Sequence, residues 1–257
     1  MRAERLSEIL DRVNERRSID VADLAIEFSV SSATIRRDLQ TLDTQGLLRR
    51  THGGALPNPA GAELPIRYKA SHRHRQKVAI GVAAAGLVRD GDVVGITGGT
   101  TATEVARALA NRLDITVIVV TNALNIAAEF IPRPQVRLVV IGGNARHTSY
   151  ELVGPAAEHM VSQYNFDISF VGADGFTVAH GCTTHDEMEA HTDLAFVRQS
   201  RRTVLIADST KFGRVNFARI CGTQDIDILV TDSGIDERMR SAVASAHMDL
   251  VIADEEP

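Results

Sequence analysis

Glycine, hydroxyl and amide residues recur in the last two thirds of the chain, each group directly after an apolar, β-branched run. Residues 95–101 read Gly-Ile-Thr-Gly-Gly-Thr-Thr, residues 121–122 are Thr-Asn, and residues 142–146 place Arg146 three positions after Gly-Gly. Glycine lets backbone N–H groups approach an anion, hydroxyls add donors, and a helix start favours negative charge. Residues 95–101 contain neither a Walker loop nor a dinucleotide fingerprint, so no cofactor is expected. They predict a phosphate-binding loop, with a plain strand-to-helix turn as the alternative.

Two further segments also come directly after apolar runs. They are residues 172–175 (Gly-Ala-Asp-Gly) and residues 207–213, which contain Lys211. The chain has three lysines against 25 arginines, and Lys211 is the only lysine after residue 77. Because nearly every other basic residue here is arginine, Lys211 indicates a position that needs a compact point charge and does not fit a guanidinium. Its expected partner is a phosphate or a ligand hydroxyl. All five segments follow predicted strand ends, where open α/β sheets bind ligands. The alternatives are that Lys211 is an ordinary surface lysine and that the segments are loops with no binding role.

A second kind of chemistry is predicted near the N-terminus, where two helices joined by a tight turn fit a helix-turn-helix. The second of these helices has hydroxyl, amide and guanidinium groups away from its apolar side, and a β-wing follows it. Short hydroxyls suit phosphates, and arginine reads guanine edges through two parallel hydrogen bonds. A helical dimerisation module with a solvated face is the alternative. The candidate DNA-binding residues are Ser31, Ser32, Thr34, Arg36, Arg37 and Gln40 on the helix, and Arg49, Arg50 and His52 on the wing.

Hydrophobic periodicity supplies the elements that must position these groups. Leu6, Ile9, Leu10 and Val13 fall on one side of a first helix, and equivalent spacings predict helices near residues 21–28 and 32–45. From residue 78 the pattern alternates between helices, such as 103–112 and 123–130, and apolar strands. The predicted strands are 93–97, 116–120, 136–141, 168–172, 203–207, 228–231 and 249–253. The prediction is a winged helix-turn-helix at 1–55, a linker at 56–77 and a larger, mostly parallel α/β domain at 78–257.

Composition and charge limit the classes of protein to which this chain can belong. The 257 residues carry a net charge of −5, but residues 1–77 hold 14 Lys and Arg against 10 Asp and Glu. The basic segment permits a nucleic-acid surface at the N-terminus. No apolar run is long enough for a membrane span or a signal peptide, so a cytoplasmic location is expected. The two cysteines imply no disulfide framework, and the histidines between 180 and 191 match no metal site, so no metal is expected.

Both halves resemble one family. Residues 31–42 (Ser-x-x-Thr-Ile-Arg-Arg-Asp-Leu-x-x-Leu), followed by residues 46–55 (Gly-Leu-Leu-Arg-Arg-x-His-Gly-Gly-Ala), look like the signature of DeoR-type bacterial repressors. Within that signature we expect a structural role for Asp38, not base reading. The segments after residue 95 are similar to the family's C-terminal sensor domain, which resembles ribose-5-phosphate isomerase in fold. One departure is the stretch after Glu189, which lacks the lysine usual in the family, so no ligand contacts are expected from the part of that helix beyond Glu189.

The resemblance implies a repressor of a sugar or carbohydrate operon that binds double-stranded operator DNA and a phosphorylated sugar effector. A dimer or tetramer is expected, because one short recognition helix reads few bases. The implied effector-binding residues are Gly99, Thr100, Thr101, Asn122, Arg146, Asp174, Gly175, Thr183, Glu189 and Lys211.

An enzyme is the main rival hypothesis, because a sugar-phosphate isomerase needs carboxylates for proton transfer. The isomerases have Asp-Gly-Ala-Asp-Glu where residues 171–175 read Val-Gly-Ala-Asp-Gly, so two of three carboxylates are missing. The expectation is a site that binds without turnover, with Glu189 as the residue most able to contradict it. A DNA-binding protein without any ligand is the second rival, and the anion donors around residues 99–101 and Lys211 argue against it.

Overall fold

The chain divides between His72 and Arg73 into two units in the computed structural model, which describes residues 2–58 and 65–254. The first unit contains the three predicted helices and the predicted wing, with a further short strand and a further short helix. The wing is a three-stranded antiparallel sheet in the order β1-β3-β2. The elements of this unit are α1 (Arg2–Arg16), β1 (Ile19–Asp20), α2 (Val21–Glu27), α3 (Ser32–Thr44), β2 (Leu48–Arg50), β3 (Gly54–Pro57) and α4 (Ile66–Lys69).

Capping residues and a shared apolar core define the helices of the first unit. Asp20 accepts a hydrogen bond from Ala22 N at the start of α2, and Ser31 accepts one from Thr34 N at the start of α3. Beyond the end of α3, Gly46 takes a φ of +68°, which a glycine adopts without steric cost. The periodic residues of all three predicted helices pack in one cluster, whose buried members include Ile9, Leu24, Ile35, Leu39 and Leu42.

Asp38 is the exception to the apolar core of this unit. Its side chain is 2% exposed and accepts a hydrogen bond from Arg5 Nε at 2.7 Å, with Arg2 Nε at 3.5 Å. The carboxylate therefore joins α3 to α1, and the predicted structural role of Asp38 is confirmed.

The segment predicted as a linker, 56–77, is partly ordered secondary structure. Its residues 56–57 end β3, 66–69 form α4, and 74–77 begin the next helix, while 59–64 lie outside the described residues. Tyr68 is buried in the core of the first unit, and its hydroxyl donates to Gln45 Oε1 at 2.7 Å. This segment has few apolar residues between its prolines, so it shows no helical period and α4 was not predicted. In the structure, Ile66 and Tyr68 are both buried, and their burial holds α4 in place.

A seven-stranded, wholly parallel sheet forms the centre of the second unit, in the order β15-β14-β12-β9-β4-β5-β6. Its strands are the seven predicted from the apolar runs, and no end differs from the prediction by more than one residue. The strands are β4 (Val93–Ile96), β5 (Val117–Thr121), β6 (Val136–Val140), β9 (Ile168–Val171), β12 (Thr203–Ile206), β14 (Ile228–Asp232) and β15 (Asp249–Ala253). The helices are α5 (His74–Ala85), α6 (Thr100–Ala110), α7 (Leu124–Phe130), α8 (Pro155–Val161), α9 (Glu187–Arg198) and α10 (Glu237–Ser245).

Two small antiparallel sheets accompany the parallel one and had no counterpart in the sequence prediction. One has the order β10-β11-β13, and the other pairs β7 with β8. Their strands are β7 (Asn144–Ala145), β8 (Leu152–Val153), β10 (Gly175–Thr177), β11 (Gly181–Thr184) and β13 (Ala218–Cys221). Strands of two to four residues are too short for a readable alternation. No helix among residues 2–58 and 65–254 is long and apolar enough to cross a bilayer.

Candidate functional site

The glycine-rich loop leads from β4 into α6 in the second unit. Gly99, with φ +111°, is the N-cap, and α6 begins at Thr100, with Thr101 buried behind it. The first turn of a helix leaves backbone N–H groups without intrahelical acceptors and carries a partial positive charge. The loop therefore presents the donor geometry that an anion such as phosphate requires.

Glu151, which the sequence reasoning missed, lies against this loop. Its Oε1 accepts hydrogen bonds from Gly98 N at 3.0 Å and from Asn122 Nδ2 at 3.4 Å. A Cβ built on Gly98 would lie 2.3 Å from both Cγ and Cδ of Glu151, so the carboxylate occupies space that only glycine leaves open. No motif contains Glu151; the available signal was one acidic residue in an otherwise uncharged segment, residues 148–157.

Arg146 connects Glu151 to the far side of the site. Its Nη1 donates to Ser149 Oγ at 2.9 Å and to Glu189 Oε2, and it lies 3.9 Å from Glu151 Oε2. Its Nε lies 3.5 Å from an Asp186 carboxylate oxygen. One guanidinium therefore contacts three carboxylates, one from Glu151 and two from the start of α9.

Glu189 and Asp174 continue the network to Lys211. The Thr184 hydroxyl donates to Glu189 Oε1 at 2.6 Å and lies 3.5 Å from Asp174 Oδ2. Asp174 Oδ1 lies 3.2 Å from Lys211 Nζ. A contiguous polar network thus runs from Gly98 to Lys211 along the carboxyl-end edge of the sheet, where the sequence placed it.

Gly175 and Thr183 have a supporting position in this arrangement. The Thr183 hydroxyl donates to Gly175 O at 3.1 Å and accepts from Asn216 N at 3.0 Å. A Cβ on Gly175 would lie 2.6 Å from Arg214 O. Both residues hold the loop after Lys211 against β10 and β11, and the hydroxyl group has no remaining donor for a ligand.

Burial changes the acidity of three carboxyl groups in the network. Burial raises the pKa of Glu151, and it raises the pKa of Glu189 well above the usual range, with repulsion from Glu151 adding to it. Burial and the charges of Glu151 and Glu189 also raise the pKa of Asp193. Asp193 lies on α9, four residues after Glu189, and its burial was not predicted.

A second polar cluster borders the turn that contains Lys211. Arg73, the first residue of the second unit, donates through Nη2 to Asp232 Oδ1 at 2.8 Å and to Ser209 Oγ at 3.3 Å. Asp232 also accepts from Ser209 N at 2.7 Å. Asp208 precedes the 3₁₀ turn Ser209–Lys211 and accepts from Thr210 N at 3.1 Å. Although burial opposes it, the Thr210 hydroxyl and the charge of Lys211 lower the pKa of Asp208.

The first unit presents its candidate DNA-binding residues on α3 and β2. Arg36, Arg37 and Arg49 are exposed, and their side chains have no hydrogen-bond or ion-pair partner in the described part of the chain. Gln40 and Arg50 contact each other, since Arg50 Nη1 donates to Gln40 Oε1. His52 and Ser31 are exposed, and Ser32 and Thr34 are half-buried at the start of α3. The Ser31 hydroxyl is engaged in capping that helix, whereas the three arginines are available to a ligand.

Comparison with known proteins matches each of the two units to a known type of domain. A DeoR-like helix-turn-helix domain matches residues 5–59, and a DeoR C-terminal sensor domain matches residues 72–233. A putative aga operon transcriptional repressor of Escherichia coli O157:H7 is 32% identical over 98% of this chain and 94% of that protein. The HTH-type transcriptional regulator GlpR of Haloferax volcanii is 35% identical over 97% of each chain. The glycerol-3-phosphate regulon repressor of Escherichia coli K12 is 28% identical over 94% of this chain and 95% of that protein.

Among solved structures, ribose 5-phosphate isomerase A from Methanocaldococcus jannaschii overlaps 53% of each chain, with a TM-score of 0.39 and 21% identity. This likeness is too low to bear on activity. Within the described ranges, no group of three or more His, Cys, Asp or Glu side chains has an arrangement that could hold a metal ion.

Proposed function

Because the chain belongs to the DeoR family of transcriptional regulators, we propose that it represses a carbohydrate operon under the control of a phosphorylated sugar. The relatives are named as repressors or regulators of the aga operon and the glycerol-3-phosphate regulon. The single observation that supports effector binding is the continuous polar network from Gly98 to Lys211 beside the N-terminal end of α6. Such a protein acts in the cytoplasm, where its operator is.

Operator recognition is assigned to α3 and the wing. Arg36 and Arg37 lie on the exposed side of α3 without partners, so each can donate two hydrogen bonds to a guanine. Arg49 on β2 suits a phosphate, and the pair of Gln40 and Arg50 fixes the wing against the helix. We expect a dimer or tetramer on DNA, because one recognition helix contacts few base pairs.

Effector binding is assigned to the second unit. The phosphate would lie at the start of α6, against the N–H groups and hydroxyls of Thr100 and Thr101. The sugar hydroxyls would lie toward Asn122, Arg146 and Asp174, with Glu189 and Lys211 holding these groups in place. Gly99 leaves the loop open to the phosphate, and Gly175 with Thr183 supports the wall of the site.

The path by which effector binding changes DNA affinity is assigned to Arg73. This residue begins the second unit directly after the helix-turn-helix unit, and it is anchored to Ser209 and Asp232. Lys211 lies two residues after Ser209, so a ligand that moves Lys211 also disturbs that anchor. The effector shifts the balance of states only by binding one of them more tightly.

Among the residues that the structure describes, the site lacks the free carboxylates that sugar-phosphate turnover requires. The loop at residues 171–175 has a single carboxylate, Asp174, which is paired with Lys211. Glu189 is held by Thr184 and Arg146, and a general base must instead reach a substrate proton.

The test is operator binding by fluorescence anisotropy, with DNA from upstream of the protein's own gene and a panel of sugar phosphates. We expect specific binding that changes with one class of sugar phosphate, and Lys211→Ala should lose that response while its operator affinity stays unchanged. Arg201→Ala, on an 82% exposed side chain, is the matched loss of one surface cation. Specific DNA binding with no response to any sugar phosphate would refute effector control, and isomerase turnover in the same panel would refute the non-enzymatic assignment.

A further inference from the structure

The two cysteines of the chain meet in the small sheet β10-β11-β13. They lie far apart in the sequence, yet the antiparallel register of β11 and β13 places Cys182 directly opposite Cys221. Side chains of directly opposed residues project from the same face of an antiparallel pair. Both are free thiols buried in one apolar cluster. Cysteines that served only as small apolar residues would have no reason to be partners, so the pairing points to chemistry between the two sulfur atoms.

The backbone spacing at this pair suits a disulfide. Opposed residues of antiparallel strands have Cα atoms about 4.5–5.5 Å apart, and a disulfide spans Cα separations of about 4.4–6.8 Å. Gly181 lets the two strands approach, because a Cβ there would overlap Cys221 O. The register shifts directly after the pair, which leaves Ile220 of β13 as a bulge residue. A bulge disrupts the ladder locally, so the two sulfur atoms can close to bonding distance by a local adjustment.

The two thiols differ in access and in protonation. Cys221 is one of the residues that line a cavity of about 550 Å³ between α9 and β13, whereas Cys182 is not. A peroxide molecule fits there, since it needs little more than the about 30 Å³ of a water molecule. The Cys221 side chain, and after it burial, raises the pKa of the Cys182 thiol well above its usual range. Cys182 therefore keeps its proton, and Cys221 is the thiol that an oxidant reaches first.

We propose that Cys182 and Cys221 form a redox-active pair, which a peroxide closes into an intrachain disulfide and a thiol reductant reopens. The Cys221 sulfur attacks one peroxide oxygen, so that an S–O bond forms, the O–O bond breaks and the other oxygen leaves as water with the Cys221 proton. The Cys182 sulfur then attacks the sulfenic acid at Cys221. An S–S bond forms, the S–O bond breaks, and the hydroxyl leaves as water with the Cys182 proton. The two thiols lose two electrons, and one hydrogen peroxide becomes two water molecules.

The disulfide would fix β11 beside the polar network that runs from Gly98 to Lys211. Thr183 and Thr184 follow the cysteine on this strand. The Thr183 hydroxyl donates to Gly175 O, and the Thr184 hydroxyl donates to a carboxylate of the network. The bond between β11 and β13 also closes a loop of about 40 residues, which restricts the unfolded chain. Oxidation should therefore stabilise the second unit and hold this strand in one arrangement.

The test is treatment of the reduced, folded full chain with hydrogen peroxide, followed by alkylation in denaturant and mass analysis. We expect neither thiol to be alkylated after treatment, a linked pair of peptides that contains Cys182 and Cys221, and two alkylated thiols again after dithiothreitol. Scanning calorimetry should show the transition of the second unit raised by about 5 °C or more in the oxidised protein. Neither measurement uses operator or effector, so the result is independent of the proposed function.

Single substitutions assign the two roles. In Cys182→Ala, Cys221 should stop at the sulfenic acid, which dimedone labels, whereas in Cys221→Ala the remaining Cys182 should stay a thiol under the same treatment. Two alkylated thiols in the treated, unaltered protein would overturn the proposal, as would a sulfinic acid in place of the disulfide or a disulfide between two copies of the chain. A disulfide that forms only in denaturant would also overturn it, because the folded sheet would then not bring the sulfur atoms together. These outcomes are measured on the unaltered protein, so a variant that fails to fold does not prevent the test.

Discussion

Gly98→Ala tests the contact between the glycine-rich loop and Glu151. The new Cβ would lie 2.3 Å from Cγ and Cδ of Glu151, so the carboxylate must move. That movement breaks its hydrogen bonds to Gly98 N at 3.0 Å and Asn122 Nδ2 at 3.4 Å. The φ of Gly98 is not in the positive range, so alanine adds no backbone strain.

The expected loss of stability follows from those two effects. Overpacking costs about 1–3 kcal/mol and the loss of the shorter hydrogen bond, from Gly98 N, about 1 kcal/mol, so the unfolding free energy should fall by about 2–4 kcal/mol. For a unit of this size, that loss lowers Tm by about 5–15 °C. Effector binding should weaken as well, because the displaced carboxylate lies against the loop.

A double-mutant cycle isolates the contact. In the Glu151→Ala background the clash is absent, so Gly98→Ala should cost less than about 1 kcal/mol, a coupling of about 1–3 kcal/mol. Gly142→Ala is the control on the same sheet edge, since its Cβ would meet only Met160 Sδ at an ordinary 3.5 Å. Scanning calorimetry of the full chain measures the transition of the second unit. An unchanged transition in Gly98→Ala, or equal costs in both backgrounds, would show that Glu151 does not occupy this position.

Three further predictions concern DNA reading, the core of the first unit and pH. Arg36→Ala or Arg37→Ala should cost about 1–3 kcal/mol on the operator if that arginine reads a guanine, whereas an equal loss on random DNA would make it a phosphate contact. Asp38→Ala should destabilise the first unit by about 2–3 kcal/mol in urea denaturation, because its arginine partners on α1 lose a buried acceptor but keep some water; a stable variant would contradict the structural role. The raised pKa of Glu189 and Asp193 means that the folded state keeps protons which the unfolded chain has released. The second unit should therefore lose stability as pH rises above the ordinary pKa range of a carboxyl group, and Glu189→Gln should flatten the profile; stability that increases with pH there would reverse the sign.

Local signals were sufficient for most of the fold. Strands buried on both faces are nearly continuous apolar runs, which is why all seven strands of the parallel sheet could be read directly. Helix α3 was equally clear, because Ile35, Leu39 and Leu42 repeat at helical spacing between Ser31 and Gly46. The short strands β7, β8, β10, β11 and β13 gave no comparable pattern, since two to four residues are too few to show a period.

The boundary between the units was less readable. Residues 56–77 contain prolines and basic residues, which favour a linker, yet Tyr68 is buried in the first unit and Arg73 is anchored within the second. Both contacts join residues far apart in the chain, and local composition does not encode them.

The sequence by itself determined which kinds of group this protein offers to ligands: glycines and hydroxyls after parallel strands, a lone lysine among arginines, and arginines on the exposed side of α3. A parallel sheet brings the ends of its strands to one edge, so topology alone placed these groups together. The tertiary structure decided their balance of charge. Glu151 reaches the loop through a space left by Gly98, and Asp186 and Glu189 come from the start of α9, which places three carboxylates beside the guanidinium of Arg146. Burial and proximity between distant residues fix that balance, and neither is written in residue type or spacing.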